Sequence, residues 1–321
     1  MALTNMQRYN TEIQTNTIEL LDQMTQKFNA ASGGAILLTS VRNEGDYGKE
    51  AFWNNLSSAQ RRVDRYAANG AQASTSLSQG ELVSVKVGGG FGPVLMEPSQ
   101  LTWLQRSPGE AISAISQSFA DALLADQLNT SVAAAVAAVE NVAALVNDVS
   151  GAGPITQLAL NGSHAKFGDM SQQLITDVMT GSTYHRLVGE AITNSGQLFL
   201  SGNVRVVDIL GKMIVISDIP ALFVAGAPDK DKVLSLTAGG IVVSDNGDLV
   251  TNIETTNGKE RIETTFQADY SFQIGLKGFA WDTVNGGASP TDAELATGTN
   301  WDKAVAFDKH LAGTLAIGSA A

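Results

Sequence analysis

Residues 84–94 read Ser-Val-Lys-Val-Gly-Gly-Gly-Phe-Gly-Pro-Val, an alternating strand pattern that runs straight into Gly88, Gly89, Gly90 and Gly92. Such a run reads either as a phosphate cradle or as a hinge. A dinucleotide fingerprint spaces three glycines so that the chain turns, approaches the pyrophosphate and opens a helix whose N-terminal amides hold the anion. Pro93 stands where the third glycine belongs. A P-loop closes on Gly-Lys-Ser/Thr, yet Lys86, the only lysine here, precedes the glycines. The continuation VLMEPSQLTW is strand-like and then broken by proline, so it offers no helix N-terminus to an anion. The reading that remains is a hinge at Gly88, Gly89, Gly90, Gly92 and Pro93, since glycine relaxes the backbone where two mobile parts join.

Working outward, Leu82–Val87 alternates as the return limb of a two-stranded excursion. Arg61 to Tyr66 is expected as the outgoing limb, with a polar turn between Asn69 and Gly80. Few large apolar residues lie between Gly45 and Gly80, and a structureless loop of that length is improbable inside a compact domain. At about 3.3 Å per residue the limbs reach a few tens of ångströms. An isolated ribbon is marginal in water, so this one should lie on a neighbouring subunit. Arg61, Arg62 and Arg65 form the one basic cluster. Salt bridges to Asp64, Glu50 or a neighbouring subunit are the preferred reading, and contact with nucleic acid is the alternative.

At 321 residues the chain can bury roughly three quarters of its unfolded surface. It is 44% hydrophobic but only 6% aromatic, which favours extended packing surfaces over one deep pocket. With no cysteine, disulfides, thiolate metal sites and cysteine nucleophiles are excluded. No uninterrupted apolar run suggests a membrane span, and the start MALTNMQRYNTEIQ lacks an export leader, so a cytosolic protein is expected. The net charge is -12, all of it arising after Arg106; the preceding part carries nine basic and nine acidic residues. There is no basic stripe of the kind a tight nucleic-acid binder needs.

Residues 1–34 read as a polar arm with a short amphipathic helix bearing Ile13, Ile18, Leu20, Leu21, Met24 and Phe28. AILLT at 35–39 begins the globular part. The strongest helical signal runs from Glu110 to about Asn147, with Asn129-Thr130-Ser131 as a candidate break; if continuous it would be about 57 Å long. From Ile155 strands and helices alternate: TQLALNG as a strand, AKFGDMSQQLITDVM and TYHRLVGEAI as helices, then VRVVDIL, KMIVIS, VLSLT, GIVVS and a long strand from Arg261 to Asp282. Asp245-Asn246-Gly247-Asp248 reads as a hairpin turn that resembles a calcium loop only in its first residues. A mixed α/β unit is expected at about 151–245, and the tail after Asn285 reads as turn-rich.

Chemistry is sparse. His164, His185 and His310 lack a second histidine or a carboxylate at zinc-motif spacing, and no Gly-x-Ser-x-Gly elbow exposes a nucleophile. No catalytic, cofactor or metal site is assigned.

The order of parts carries more than any one motif. The return strand LVSVKVGGGFGPVLMEPSQLTWL, the alanine-rich helix ADALLADQLNTSVAAAVAAV, GLKGFAWD from Gly275 to Asp282 and the tail SPTDAELATGTNWDKAVAFDKHLAG together resemble the major capsid proteins of tailed bacteriophages. That resemblance implies an α+β, Hong Kong 97-like (Johnson) capsid fold. Its parts would be an N-terminal arm (1–34), an E-loop over an adjacent subunit (53–97), a peripheral domain with a long spine helix (35–52 and 98–150) and an axial domain (151–245). Return strands and the C-terminal tail would follow at 246–321. It further implies pentamers and hexamers of an icosahedral virion shell assembled in the host cytoplasm, enclosing DNA without sequence-specific binding. Expected partners are a separate scaffolding protein, a portal protein and a decoration protein, with no membrane and no cofactor. The glycines would let the E-loop change tilt between precursor and expanded shells. Nothing near Lys86 marks a cross-linking site, so the expected shell is non-covalent. A cargo-enclosing nanocompartment of the same fold and a flagellin-type filament subunit are the competing classes.

Overall fold

The computed structural model describes residues 3–54, 59–96, 108–195, 211–258, 260 and 262–320. In chain order these form α1 (Leu3–Ala31), β1 (Ile36–Thr39), β2 (Tyr47–Trp53), β3 (Gln79–Met96), α2 (Pro108–Glu140), β4 (Val146–Asp148), α3 (Gln157–Ala165), β5 (Leu174–Met179) and α4 (Gly181–Ser195). Then follow β6 (Met213–Ile216), β7 (Phe223–Val224), β8 (Lys230–Thr237), β9 (Ile241–Asp245), β10 (Val250–Thr256), β11 (Glu263–Leu276), β12 (Phe279–Trp281), α5 (Asp292–Leu295), β13 (Trp301–Lys303) and β14 (Gly313–Ser319).

The α2 helix organises the rest. Near its start Ile112, Phe119 and Leu123 pack with Ile13 and Leu21 of α1 and with Phe266 and Ala268 of β11. Its second half places Val132, Ala134, Ala135, Val136, Ala138 and Val139 in the main core with Leu234, Leu236 and Leu315. Alanine keeps helix propensity high while letting strands approach the helix backbone closely. By length and composition Ile112–Glu140 would suit a membrane, but here that apolar surface faces the protein core. The helix runs through Asn129-Thr130-Ser131 without a break, Ser131 Oγ donating back to Leu128 O at 3.1 Å. It stops at Glu140, short of the Asn147 expected from periodicity, and its 33 residues span about 50 Å. Beyond it, Val146–Asp148 is drawn into a strand beside β14.

The first sheet has the order β1-β9-β11-β3-β2, with β10 also on β11. One edge of β11 carries β3; the other carries β9 against residues 272–276 and β10 against residues 263–269. Residues 245–248 are therefore not a hairpin turn: they step the chain from one strand to the next along a shared neighbour. Asp248 holds that step by accepting from the Ser271 amide at 2.8 Å and the Ser271 hydroxyl at 2.5 Å.

The second sheet has the order β4-β14-β8-β5-β6, with β7 beside β8. One face of it, including Val178, Leu234, Leu236, Leu315 and Ile317, joins the core shared with α2. The other, with Met179, Val233 and Ala316, packs with Ile155, Leu160 and Leu187 under α3 and α4. Covered on both faces, β8 and β14 are buried almost throughout.

Several sequence expectations are corrected here. TQLALNG begins α3, because Thr156 caps a helix by accepting from the Ala159 amide at 3.2 Å. LITDVM is β5, not the end of a helix. The tail supplies the buried strand β14, and Trp281 and Trp301, centroids 4.9 Å apart, are buried in the same main core. The expected unit 151–245 therefore borrows β4 and β14 from outside its bounds and gives up β9 to the first sheet. The expected strand VRVVDIL falls outside the described residues.

Phe119 is fully buried, whereas Ile18 is about half exposed. Phe119→Ala should cost about 3–5 kcal/mol and Ile18→Ala no more than about 0.5 kcal/mol, read by urea titration of the unassembled subunit.

Candidate assembly surfaces

The excursion is built differently from its sequence reading. Its outgoing limb is Tyr47–Trp53, which pairs antiparallel with the return limb from Tyr47↔Val85 to Trp53↔Gln79. Arg61–Tyr66 forms no strand and lies in the connecting segment, where every described residue from 59 to 79 is exposed. Lys49 and Glu81 bridge the two limbs at 3.3 Å. Asp64 accepts from the Tyr66 amide at 2.9 Å. Among the described residues neither Asp64 nor Glu50 pairs with Arg61, Arg62 or Arg65, so the intrachain part of the salt-bridge expectation does not form.

The glycine run lies inside β3, laddered to β11 as Gly88↔Ser271, Gly89↔Tyr270 and Gly90↔Asp269. Pairing with β2 ends at Val85, and a last bond on that edge runs from the Lys86 amide to Asp46 O at 2.9 Å; beyond it, among the described residues, β3 is laddered on one edge only. A side chain at Gly89 would sit 2.4 Å from the Tyr270 ring. That space lets the ring cross the strand and donate its hydroxyl to Asp126 Oδ2 of α2 at 2.7 Å. Burial pushes the Tyr270 hydroxyl well above its ordinary value, and the bond to Asp126 pushes it further. Gly92, at φ +98° beside the register shift between Phe266 and Ala268, takes a backbone conformation that side chains rarely adopt. Lys86 stands 3.7 Å from Asp248 of its own chain.

Groups suggestive of catalysis resolve into packing. His164 Nε2 lies 3.0 Å from Asp177 Oδ1 and 3.1 Å from Ser235 Oγ, all three buried. A nucleophilic triad uses both imidazole nitrogens, one for the carboxylate and the other for the hydroxyl. Here one nitrogen serves both, and the trio ties α3 to β5 and β8. His310 lies against Phe307 and His185 against Tyr184. Among the described residues no group of three or more histidine or acidic side chains is arranged to hold a metal. A groove of about 460 Å³ crosses the first sheet between Arg42, Lys49, Ser84, Gln273 and Lys277. Gln273 and Ser84 satisfy one another at 2.6 Å, and Lys277 donates to Thr237 and Ala238.

A long helix laid under a sheet, a hairpin with an exposed tip and a second three-layer unit define the Hong Kong 97-like fold of tailed-phage coat proteins. The capsid of cyanophage Pam1 matches with a TM-score of 0.53 at 12% identity over 89% of this chain and 88% of that one. The capsids of Helicobacter pylori bacteriophage KHP30 (TM-score 0.49, 7% identity, 89% and 88% covered) and Ralstonia phage GP4 (0.48, 11%, 90% and 88%) are also similar. No curated protein matches the sequence. The chain belongs to the Gp13-like family, described as major capsid protein 13-like, which matches residues 5–315. It is a coat protein of the phage head, located in the virion capsid, and it self-assembles into the capsid lattice.

Gly89→Ala should destabilise the subunit by about 1–3 kcal/mol through overpacking against Tyr270, while Gly88→Ala, with open space around its Cβ, should leave the melting temperature nearly unchanged. A pH dependence follows from Asp245, whose carboxyl burial pushes up, the Gly247 amide opposing and the Asp248 charge adding. The folded state then binds this proton more tightly than the unfolded chain, so its contribution to stability falls as pH rises through the window above the ordinary carboxylate value. Asp245→Asn should therefore be more stable than the parent at neutral pH, and the gap in urea midpoint should close on acidification.

Proposed function

We propose that this coat protein builds pentamers and hexamers of an icosahedral head shell enclosing double-stranded DNA, without enzymatic activity of its own. The observation that carries the reading is the hairpin of β2 and β3, whose described tip residues, 59 to 79, are all exposed. A polar ribbon of that kind is marginal alone and gains order by lying on a neighbour. The arm at 1–34, the α2 helix with the first sheet, and the second sheet with α3 and α4 then serve as N-terminal arm, peripheral domain and axial domain. The E-loop begins at Tyr47, not Trp53.

Gly88–Pro93 lie where β3 has lost the support of β2, which favours tilting of the E-loop at that point. Arg61, Arg62 and Arg65 are exposed, have no carboxylate partner among the described residues and are available to acidic groups of an adjacent copy. The charge balance also suits a container: a strongly basic lining would hold packaged DNA by many phosphate contacts and oppose its movement. A scaffolding protein, a portal protein and a decoration protein are the partners expected for such a shell.

Negative-stain electron microscopy of the chain, alone and with a scaffolding partner, tests the reading; closed shells or rings of five and six support it, and filaments or an unchanging monomer overturn it. The triple substitution Arg61→Glu, Arg62→Glu, Arg65→Glu should abolish shells while leaving circular dichroism and melting temperature unaltered, because these exposed side chains hold no group among the described residues.

A further inference from the structure

The sequence holds five Asn-Gly pairs, at 69–70, 161–162, 246–247, 257–258 and 285–286. In such a pair the side-chain amide is open to attack by the backbone nitrogen of the next residue, because glycine has no Cβ to block the approach and leaves the backbone free to rotate into line. The nitrogen gives up its proton to solvent base and bonds to Cγ of the asparagine. The Cγ–Nδ2 bond breaks, ammonia leaves, and a cyclic succinimide remains. Water then opens the ring at Cγ, giving aspartate, or at the backbone carbonyl, giving isoaspartate, whose main chain runs through the side chain. Nothing is oxidised or reduced, and water is the only co-reactant.

The fold ties down three of the pairs. Asn161 lies within α3, where the helical ladder holds the backbone. Asn246 is buried, its Oδ1 accepting from the Asn43 amide at 3.2 Å and its Nδ2 donating to Ser271 Oγ at 3.0 Å, while the Gly247 amide donates to Asp245 Oδ1 at 2.9 Å. Asn285 Nδ2 donates to Asp282 Oδ2 at 2.5 Å, and the Gly286 amide donates to Asp282 O at 2.9 Å. Asn257 is exposed, but β10 ends beside it in the pair Thr256↔Glu263, which restrains its backbone on one side. Asn69 differs from all four. It lies in the exposed connecting segment, outside any helix or strand, and among the described residues no hydrogen bond engages Asn69 or Gly70. A Cβ placed on Gly70 would meet nothing within 4 Å.

We propose that Asn69-Gly70 is a site of spontaneous deamidation, through which a subunit waiting to assemble converts its exposed tip to a more acidic form, and that assembly halts the reaction. Residues 59–79 carry three arginines against one aspartate, so the new carboxylate halves the net positive charge of the tip. Arg61, Arg62 and Arg65 then attract acidic groups of an adjacent copy less strongly. The choice of Asn69 among the five pairs follows from the subunit alone. The halt and the effect on assembly rest on the tip lying on a neighbouring copy, as proposed above.

Parent subunits held unassembled at mildly alkaline pH are digested with trypsin, and aspartate and isoaspartate are located by mass spectrometry. The peptide Tyr66–Lys86 holds Asn69 as its only asparagine. Asn69 should convert first and Asn257 more slowly, whereas Asn161, Asn246 and Asn285 should convert only in a urea-unfolded control. An intact Asn69 in the folded chain overturns the site, as does conversion of the three restrained pairs at the rate of Asn69. Gly70→Ala should slow conversion of Asn69 at least about tenfold with melting unchanged, since the added methyl meets open space in the fold.

In parental shells at the same pH Asn69 should remain an amide. Shells that convert it at the free rate overturn the halt and the docked tip together, and leave the site in the free subunit standing. A parent that forms no shell defeats the proposed function and the halt with it, and the free-subunit result then decides the site by itself. Asn69→Asp should need at least about twice the concentration of Asn69→Gln to form shells, the gap closing in high salt; equal thresholds overturn the effect on assembly.

Discussion

Burial of α2 on several sides at once is the constraint to which the rest of the subunit answers. A helix about 50 Å long with almost no charged residue along its length cannot stand in water, and one sheet covers only part of its surface. The chain resolves this by laying α1 and β11 on the first half, through Phe119 and Leu123, and the second sheet on the alanine-rich half, through Leu234, Leu236 and Leu315. Each covering element is amphipathic or buried in turn, and their order along α2 fixes the spacing between the two sheets.

That arrangement separates what holds the subunit together from what is left for other copies. Apolar side chains concentrate along α2 and on both faces of the second sheet, while the described residues of the hairpin tip are exposed throughout. A coat protein needs such a division: a core stable before assembly, and contacts weak enough singly to correct errors while many together close a shell. Tyr270 links the two levels, since its ring crosses Gly89 on the strand that becomes the E-loop and its hydroxyl reaches Asp126 on α2.

Much of this was legible in the residues, and what was not has identifiable causes. The long helix, the return limb of the hairpin and the strands β8, β9 and β11 announce themselves by periodicity sustained over many residues. The outgoing limb Tyr47–Trp53 was missed because Lys49, Glu50 and Ala51 interrupt its apolar pattern, the strand being exposed on an edge and needing no buried face. Leu158 and Leu160 alternate like strand residues, and only the Thr156 cap and Glu190, which accepts from the Gln157 amide, decide for a helix. The seven residues of β14 are too short and too rich in small side chains to be told from a turn-rich tail by pattern alone.

The sequence by itself determined the class of fold, the lack of cysteine, the α2 helix and the exposed polar excursion, because each of these depends on local composition or on periodicity along one segment. The tertiary structure decided which strands share a sheet: β9 and β10 in line along β11, and β4 and β14, at 146–148 and 313–319, brought together with β8 at 230–237. It also decided that the glycines at 88–92 lie within a ladder, seating a tyrosine, where their spacing alone had suggested only freedom. Those outcomes depend on contacts between separate segments, some far apart in the chain, as Ile317 with Asp148 and Gly88 with Ser271, and such contacts are chosen by the burial they achieve together, a quantity no single stretch of chain contains.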